Sequence, residues 1–152
     1  MDVCSIQQVH AGITLAVRGR VTEAGLPAFM NEKMTLLMGY LREKGIRPAG
    51  FTYICFNNMD LNDWEIEAGV PVAKPDGGEG EIVPSSLPAC LAATTMHLGG
   101  SSGMKNVYWR LKSWMAENNY EEQGPMYEIC LNDPRFTPPE ETYWGMWIPL
   151  KS

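Results

Sequence analysis

Glu128 stands inside an apolar, strand-like run, Met126-Tyr127-Glu128-Ile129-Cys130-Leu131. A carboxylate with such neighbours has its charged form disfavoured by desolvation unless a cation or hydrogen-bond donors compensate. Two kinds of chemistry are open to it. It could hold a planar or aliphatic cation, with nearby Tyr and Trp rings adding faces that attract positive charge. Alternatively it could act as a general base toward water, if its pKa is raised toward neutrality. Two further carboxylates, Glu65 and Glu67, alternate with Trp64, Ile66 and Ala68 in a second strand-like run and could act with it. No phosphate loop, supported Ser-His-Asp order or metal-spaced His cluster accompanies these acids, so neither a metal nor a cofactor is expected. The four cysteines form no CxxC pair; Cys55, Cys90 and Cys130 lie in apolar runs where a free buried thiol is expected.

The elements that position these acids are legible from periodicity. Gly12 to Arg18 alternates with Ile13, Leu15 and Val17 on one side, as a half-buried strand does. Pro27 opens a helix from about Leu26 to Lys44, with Met30, Met34, Leu37 and Leu41 at helical spacing and Gly45 as its stop. Gly50 to Asn57 and Asp63 to Val72 read as a strand pair. After the turn-rich Lys74 to Gly80 the order repeats: strand Cys90 to His97, a turn at Gly99 to Ser102, helix Met104 to Glu117, then strands Met126 to Leu131 and Tyr143 to Leu150. The glycines at 77–80 and 99–103 are read as connections.

The repeat is visible in the letters. Ile54-Cys55-Phe56-Asn57-Asn58 answers Ile129-Cys130-Leu131-Asn132-Asp133, and Val70-Pro71-Val72 answers Ile148-Pro149-Leu150. The expected fold class is therefore α+β: duplicated β-α-β-β modules with pseudo-twofold symmetry, an antiparallel sheet, helices on one face and a central ligand cleft. One domain over 1–152 is expected, with halves at about 1–75 and 80–152.

Strand parity then sorts the side chains. With Ile129 and Leu131 packed beneath the helices, Met126, Glu128 and Cys130 turn to the opposite face, and the same rule in the other strands sends Tyr53, Glu65, Glu67, Tyr143 and Trp147 there. The expected ligand-binding set is Glu128, Tyr53, Glu65, Glu67, Met126, Tyr143 and Trp147. His97 at a strand end and Trp109 one position off the Tyr108, Leu111, Met115 stripe join it at the rim. Trp64, Trp114 and Trp144 are read as core, and His10 carries no assignment.

Composition narrows the partners. A chain of 152 residues with 45% hydrophobic and 20% charged residues is long enough to bury one core, roughly 68–70% of its unfolded surface. The net charge of −6 and scattered basic residues leave no footprint for nucleic acid, so a neutral or cationic small molecule fits better. No run approaches the ~18 apolar residues of a membrane span, and no secretory signal precedes Cys4, so a cytoplasmic location is expected. Ten Met, five Trp and six Tyr suit either an adaptable core or a promiscuous pocket.

Three stretches carry a resemblance to a known family: His97-Leu98-Gly99 before the second helix, Glu128-Ile129-Cys130-Leu131-Asn132-Asp133-Pro134, and the closing Ile148-Pro149-Leu150. Together they resemble the GyrI-like small-molecule-binding domain, the effector-binding domain of AraC-type and multidrug-sensing regulators. The resemblance implies two β-α-β-β modules around a cleft where Glu128 contacts lipophilic, often cationic, ligands. Cys130 departs from the Tyr that the family commonly has there. The two halves leave no room for a helix-turn-helix, so direct DNA binding is not expected and any such activity would need a separate partner. The leading expectation is a non-catalytic, stand-alone binding or drug-sequestering module. One alternative, also implied by the resemblance, is a hydrolase of reactive cyclopropane-bearing compounds that uses Glu128 with Glu65 or Glu67. Another treats the aromatic face as a homodimer or protein interface.

Overall fold

The computed structural model describes residues 3–60, 62–99, 103–132 and 136–151. Its strands are β1 (Ser5–Val9), β2 (Gly12–Val21), β3 (Tyr53–Phe56), β4 (Trp64–Pro71), β5 (Val83–Leu87), β6 (Cys90–Leu98), β7 (Met126–Cys130) and β8 (Tyr143–Pro149). Two helices, α1 (Leu26–Lys44) and α2 (Met104–Glu117), follow β2 and β6. Both helices and six strands lie where periodicity puts them. Of the turn expected at Gly99 to Ser102, residues 100–102 lie outside the described residues, as do Asp133 and Pro134 of the family motif. Helix α1 buries Leu26, Met30, Met34, Leu37, Tyr40 and Leu41. It stops at Gly45, where φ of 69° lets the Ile46 N–H reach back to the Leu41 carbonyl at 2.9 Å.

All pairings are antiparallel, in the order β1-β6-β8-β7-β3-β4-β2-β5. The pseudo-twofold axis passes between β7 and β3. Strands β1 and β5, which periodicity did not reveal, cap the two edges and are exchanged: β1 pairs with β6 of the second half, β5 with β2 of the first. Each half is thus β-β-α-β-β with a swapped first strand.

That exchange forces the sheet to curl. In a flat sheet β1 and β2 would stand about 29 Å apart, as would β5 and β6. Yet each pair is joined by a two-residue link that reaches about 10–11 Å at most. The edges must therefore approach each other, and Val9 of β1 and Leu87 of β5 do pack against one cluster.

Curling creates two cores. The larger lies between the helices and one sheet face, and includes Leu15, Val17, Ile54, Phe56, Trp64, Ile66, Val70, Met126, Met146 and Ile148. The smaller lies on the other face, where Tyr53, Cys55, Ala92, Tyr127 and Trp147 pack with Ile129, Cys90, Val9 and Leu87. Tyr127 and Trp147 stack there at 4.0 Å with 4° between their planes. Tyr53 lies directly over Gly69, where a Cβ would stand 2.6 Å from its hydroxyl oxygen. The glycine is what admits the ring.

Candidate functional site

The two helix-bearing modules meet in a small cavity of about 20 Å³ lined by Leu26, Ile54, Phe56, His97, Met104, Glu128 and Trp144. It sits at the pseudo-twofold axis. Leu26 and Met104 open the two equivalent helices, while Ile54 and Glu128 face one another across the β3–β7 junction. A carboxylate thus occupies the place that an isoleucine takes in the first half.

Glu128 is 1% exposed. Its Oε1 shares a 2.8 Å hydrogen bond with Nε2 of the buried His97, and its Oε2 has no partner among the described residues. An ionised Glu128 accepts that bond from the imidazole N–H; a protonated one donates it. Burial pushes the Glu128 pKa up, and His97 only partly opposes the shift. Trp144 is the cross-strand neighbour of His97, and its indole Nε1 is likewise buried without a partner among the described residues. Two residues that line one apolar cavity thus each carry a buried polar atom without a partner, and the two atoms are of opposite kind. Buried polar atoms are normally satisfied, so the pair calls for something to meet it.

The structure corrects the face assigned to β7. Glu128 and Met126 lie on the helix side, because Glu128 pairs with Ile54 and Met146, and Met126 with Phe56, all members of the larger core. Tyr127 and Ile129 take the other face. The error traces to the repeat alignment. Pro48 bridges Val72 as Glu122 bridges Leu150. Ala49 donates to Pro71 as Gln123 donates to Pro149, and Gly50 packs on Pro71 as Gly124 packs on Pro149. Continuing that correspondence, Tyr53 answers Tyr127 and Ile54 answers Glu128. Matching Ile54 to Ile129 is one residue out of register, and a one-residue slip reverses every side chain.

The remaining predicted residues do not join Glu128. Tyr53 and Trp147 are on the opposite face, in the smaller core. Glu67 is there too, its oxygens taken by Arg18 at 3.0 Å, Tyr53 at 2.8 Å and Ser85 at 2.9 and 3.1 Å. The Tyr53 hydroxyl also lies 2.9 Å from Thr14. Burial raises the Tyr53 and Tyr127 pKa values and pushes the Cys55 thiol up to about 12, so this cluster is neutral apart from the Arg18–Glu67 pair. Glu65 is exposed beside Arg20. Met126 is buried beneath the helices, Tyr143 is half exposed at the start of β8, and Trp109 projects from α2 at 55% exposure. Of the expected set, His97 alone lines the cavity with Glu128. Sequence reasoning missed Trp144, Leu26, Ile54, Phe56 and Met104 as lining residues. The repeat read in its true register would have matched Ile54 to Glu128 and put both on the helix side.

Among the described residues no His, Cys, Asp or Glu group is arranged to hold a metal ion. No described helix is long and apolar enough to cross a membrane.

The same fold is found in solved proteins. The C-terminal domain of EcmrR superposes with a TM-score of 0.87 at 15% identity, covering 100% of this chain and 99% of that one. EcmrR in its DNA complex gives 0.88 at 15% identity over 99% of this chain, which spans 58% of the EcmrR length. SAV2435 bound to tetraphenylphosphonium gives 0.66 at 9% identity, covering 99% and 94% of the two chains. A hydrolase encoded by lin2189 from Listeria innocua gives 0.64 at 15% identity, covering 97% and 91%. No curated protein matches the chain. Residues 4–151 match the GyrI-like small molecule binding domain. The duplicated modules, the curled sheet and this match place the chain in the family of GyrI-like small molecule binding domains.

Proposed function

We propose that the chain binds a lipophilic cation between its two helix-bearing modules, with Glu128 as the counter-charge. The observation that carries this reading is the free Oε2 of Glu128, buried among Leu26, Ile54, Phe56, Met104 and Trp144. A carboxylate oxygen held without a partner in apolar surroundings is costly, and a cation with apolar substituents compensates the charge while filling the cavity walls. The similarity to a protein bound to tetraphenylphosphonium supports the same ligand class. At about 20 Å³ the cavity admits nothing larger than a water molecule. Binding therefore requires Leu26 and Met104 to move aside, and the unbranched, flexible side chain of Met104 makes that rearrangement easier.

The two-carboxylate hydrolysis considered from sequence fits less well, since the sheet separates Glu67 from Glu128 and the partners of Glu67 already occupy its oxygens. The interface alternative loses most of its motivation, because Tyr53 and Trp147 fill an internal core. Tetraphenylphosphonium binding, followed by tryptophan fluorescence, tests the proposal. Opposite charges at roughly 5 Å with an effective dielectric near 20 attract by about 3 kcal/mol. Glu128→Gln is accordingly expected to weaken binding by about a hundred- to two-hundred-fold. Equal affinities for the two proteins would overturn it.

A further inference from the structure

We infer that the cavity reads a hydrogen-bond acceptor on its ligand as well as a positive charge, and that Trp144 is the residue that reads it. The inference rests on the cation-binding reading above and deepens it. The cross-strand register sets His97 directly opposite Trp144 on β8, and Glu128 opposite Met146. Glu128 is thus the diagonal neighbour of Trp144, on the same face. Diagonal neighbours in an antiparallel pair stand about 7–8 Å apart at Cα, within reach of long and aromatic side chains. The two groups therefore address one ligand at once.

Their chemistry is complementary. Glu128 Oε2 can only accept when ionised, whereas the indole Nε1–H can only donate. Both lack partners among the described residues, and both belong to side chains of residues that line the same cavity. A quaternary onium ion meets the charge of Glu128 but offers nothing to the indole N–H. A protonated amine or amidinium bearing an ether, carbonyl or hydroxyl oxygen a few bonds away satisfies both groups: its N–H donates to Oε2, and its oxygen accepts from Trp144. Because an unmet buried donor carries a desolvation cost, such ligands are favoured over cations of equal size without the oxygen. The preferred ligand class is thus an amphiphilic amine with a built-in acceptor.

The test uses diphenhydramine, a tertiary amine with an ether oxygen, and its carbon isostere, in which a methylene replaces that oxygen. Both are titrated calorimetrically against the native protein and Trp144→Phe, which keeps a ring and removes the N–H. The ether-to-methylene affinity ratio is expected to fall about five- to ten-fold in Trp144→Phe, whatever happens to the absolute affinities. In the native protein the Trp144 indole N–H proton is expected to move downfield in NMR with the ether ligand and not with the isostere. An equal ratio in both proteins, or an indole proton that responds alike to both ligands, overturns the inference. Tetraphenylphosphonium, which has neither N–H nor acceptor, reports on the cation reading alone, so loss of one conclusion is separable from loss of the other.

Discussion

Trp147→Ala is expected to lower folding stability by about 3–5 kcal/mol, a fall in Tm of about 6–20 °C for a chain of this size. The indole is 6% exposed and stacks on Tyr127 within the curl of the sheet. Its removal leaves a void between strands that are held apart by their own hydrogen-bond ladders, so the walls cannot close on it. The neighbouring polar groups are also fixed: Tyr53 is tied to Thr14 and Glu67, and Glu67 to Arg18 and Ser85. Thermal or urea unfolding followed by circular dichroism measures the loss. A Trp that merely walled an open ligand cleft would cost little stability when truncated. A loss below about 1 kcal/mol would therefore contradict the placement of Trp147 in a second core.

Glu128→Gln is expected to stabilise the ligand-free protein on the alkaline side, by on the order of 1–3 kcal/mol, because the amide removes the buried charge while keeping the shape of the side chain. Desolvation raises the folded-state pKa of Glu128 above its ordinary value of 4.5. The proton is then held more tightly in the folded protein than in the unfolded chain. Its contribution to stability is complete below about pH 4.5 and is lost as pH rises through the higher folded value. Native stability relative to Glu128→Gln should therefore decline from pH 4.5 upward, with His97, the titratable group facing Glu128 across the cavity, present in both proteins. Urea midpoints of the pair across pH 4.5 to 8 measure it. Saturation with tetraphenylphosphonium should narrow the gap. A variant that is less stable than the native protein at every pH would mean that Glu128 is a structural residue, satisfied where it stands.

Strong local signals made most of the fold legible. Met30, Met34, Leu37 and Leu41 could only form one face of a helix, and the Val-Pro-Val and Ile-Pro-Leu echoes marked equivalent strand ends. Strands β1 and β5 were hidden for a physical reason. They are edge strands, weakly patterned, with Pro84 inside one of them, and long-range pairing with the opposite half is what orders them. The face of Glu128 was hidden for another. Parity arguments assume that one sheet face is apolar and the other wet, but curling buries both here, so Ile129 and Met126 gave no sign of which way they turn. Cross-strand register decides such cases, and a repeat aligned one residue off decides them wrongly. Glu128 itself was identifiable because an acid amid Met, Tyr, Ile and Cys has few other uses. Trp144 was not, since an indole in an apolar strand looks like core until its nitrogen is found without a partner.

Titration of the Glu128 carboxyl carbon by NMR, in the free protein and saturated with tetraphenylphosphonium, reads out its role as counter-charge. The resonance is assigned by its absence from Glu128→Gln. If Glu128 is the counter-charge, its titration midpoint lies above the ordinary glutamate value in the free protein and falls when the cation is bound. A midpoint that bound cation leaves in place would contradict the account.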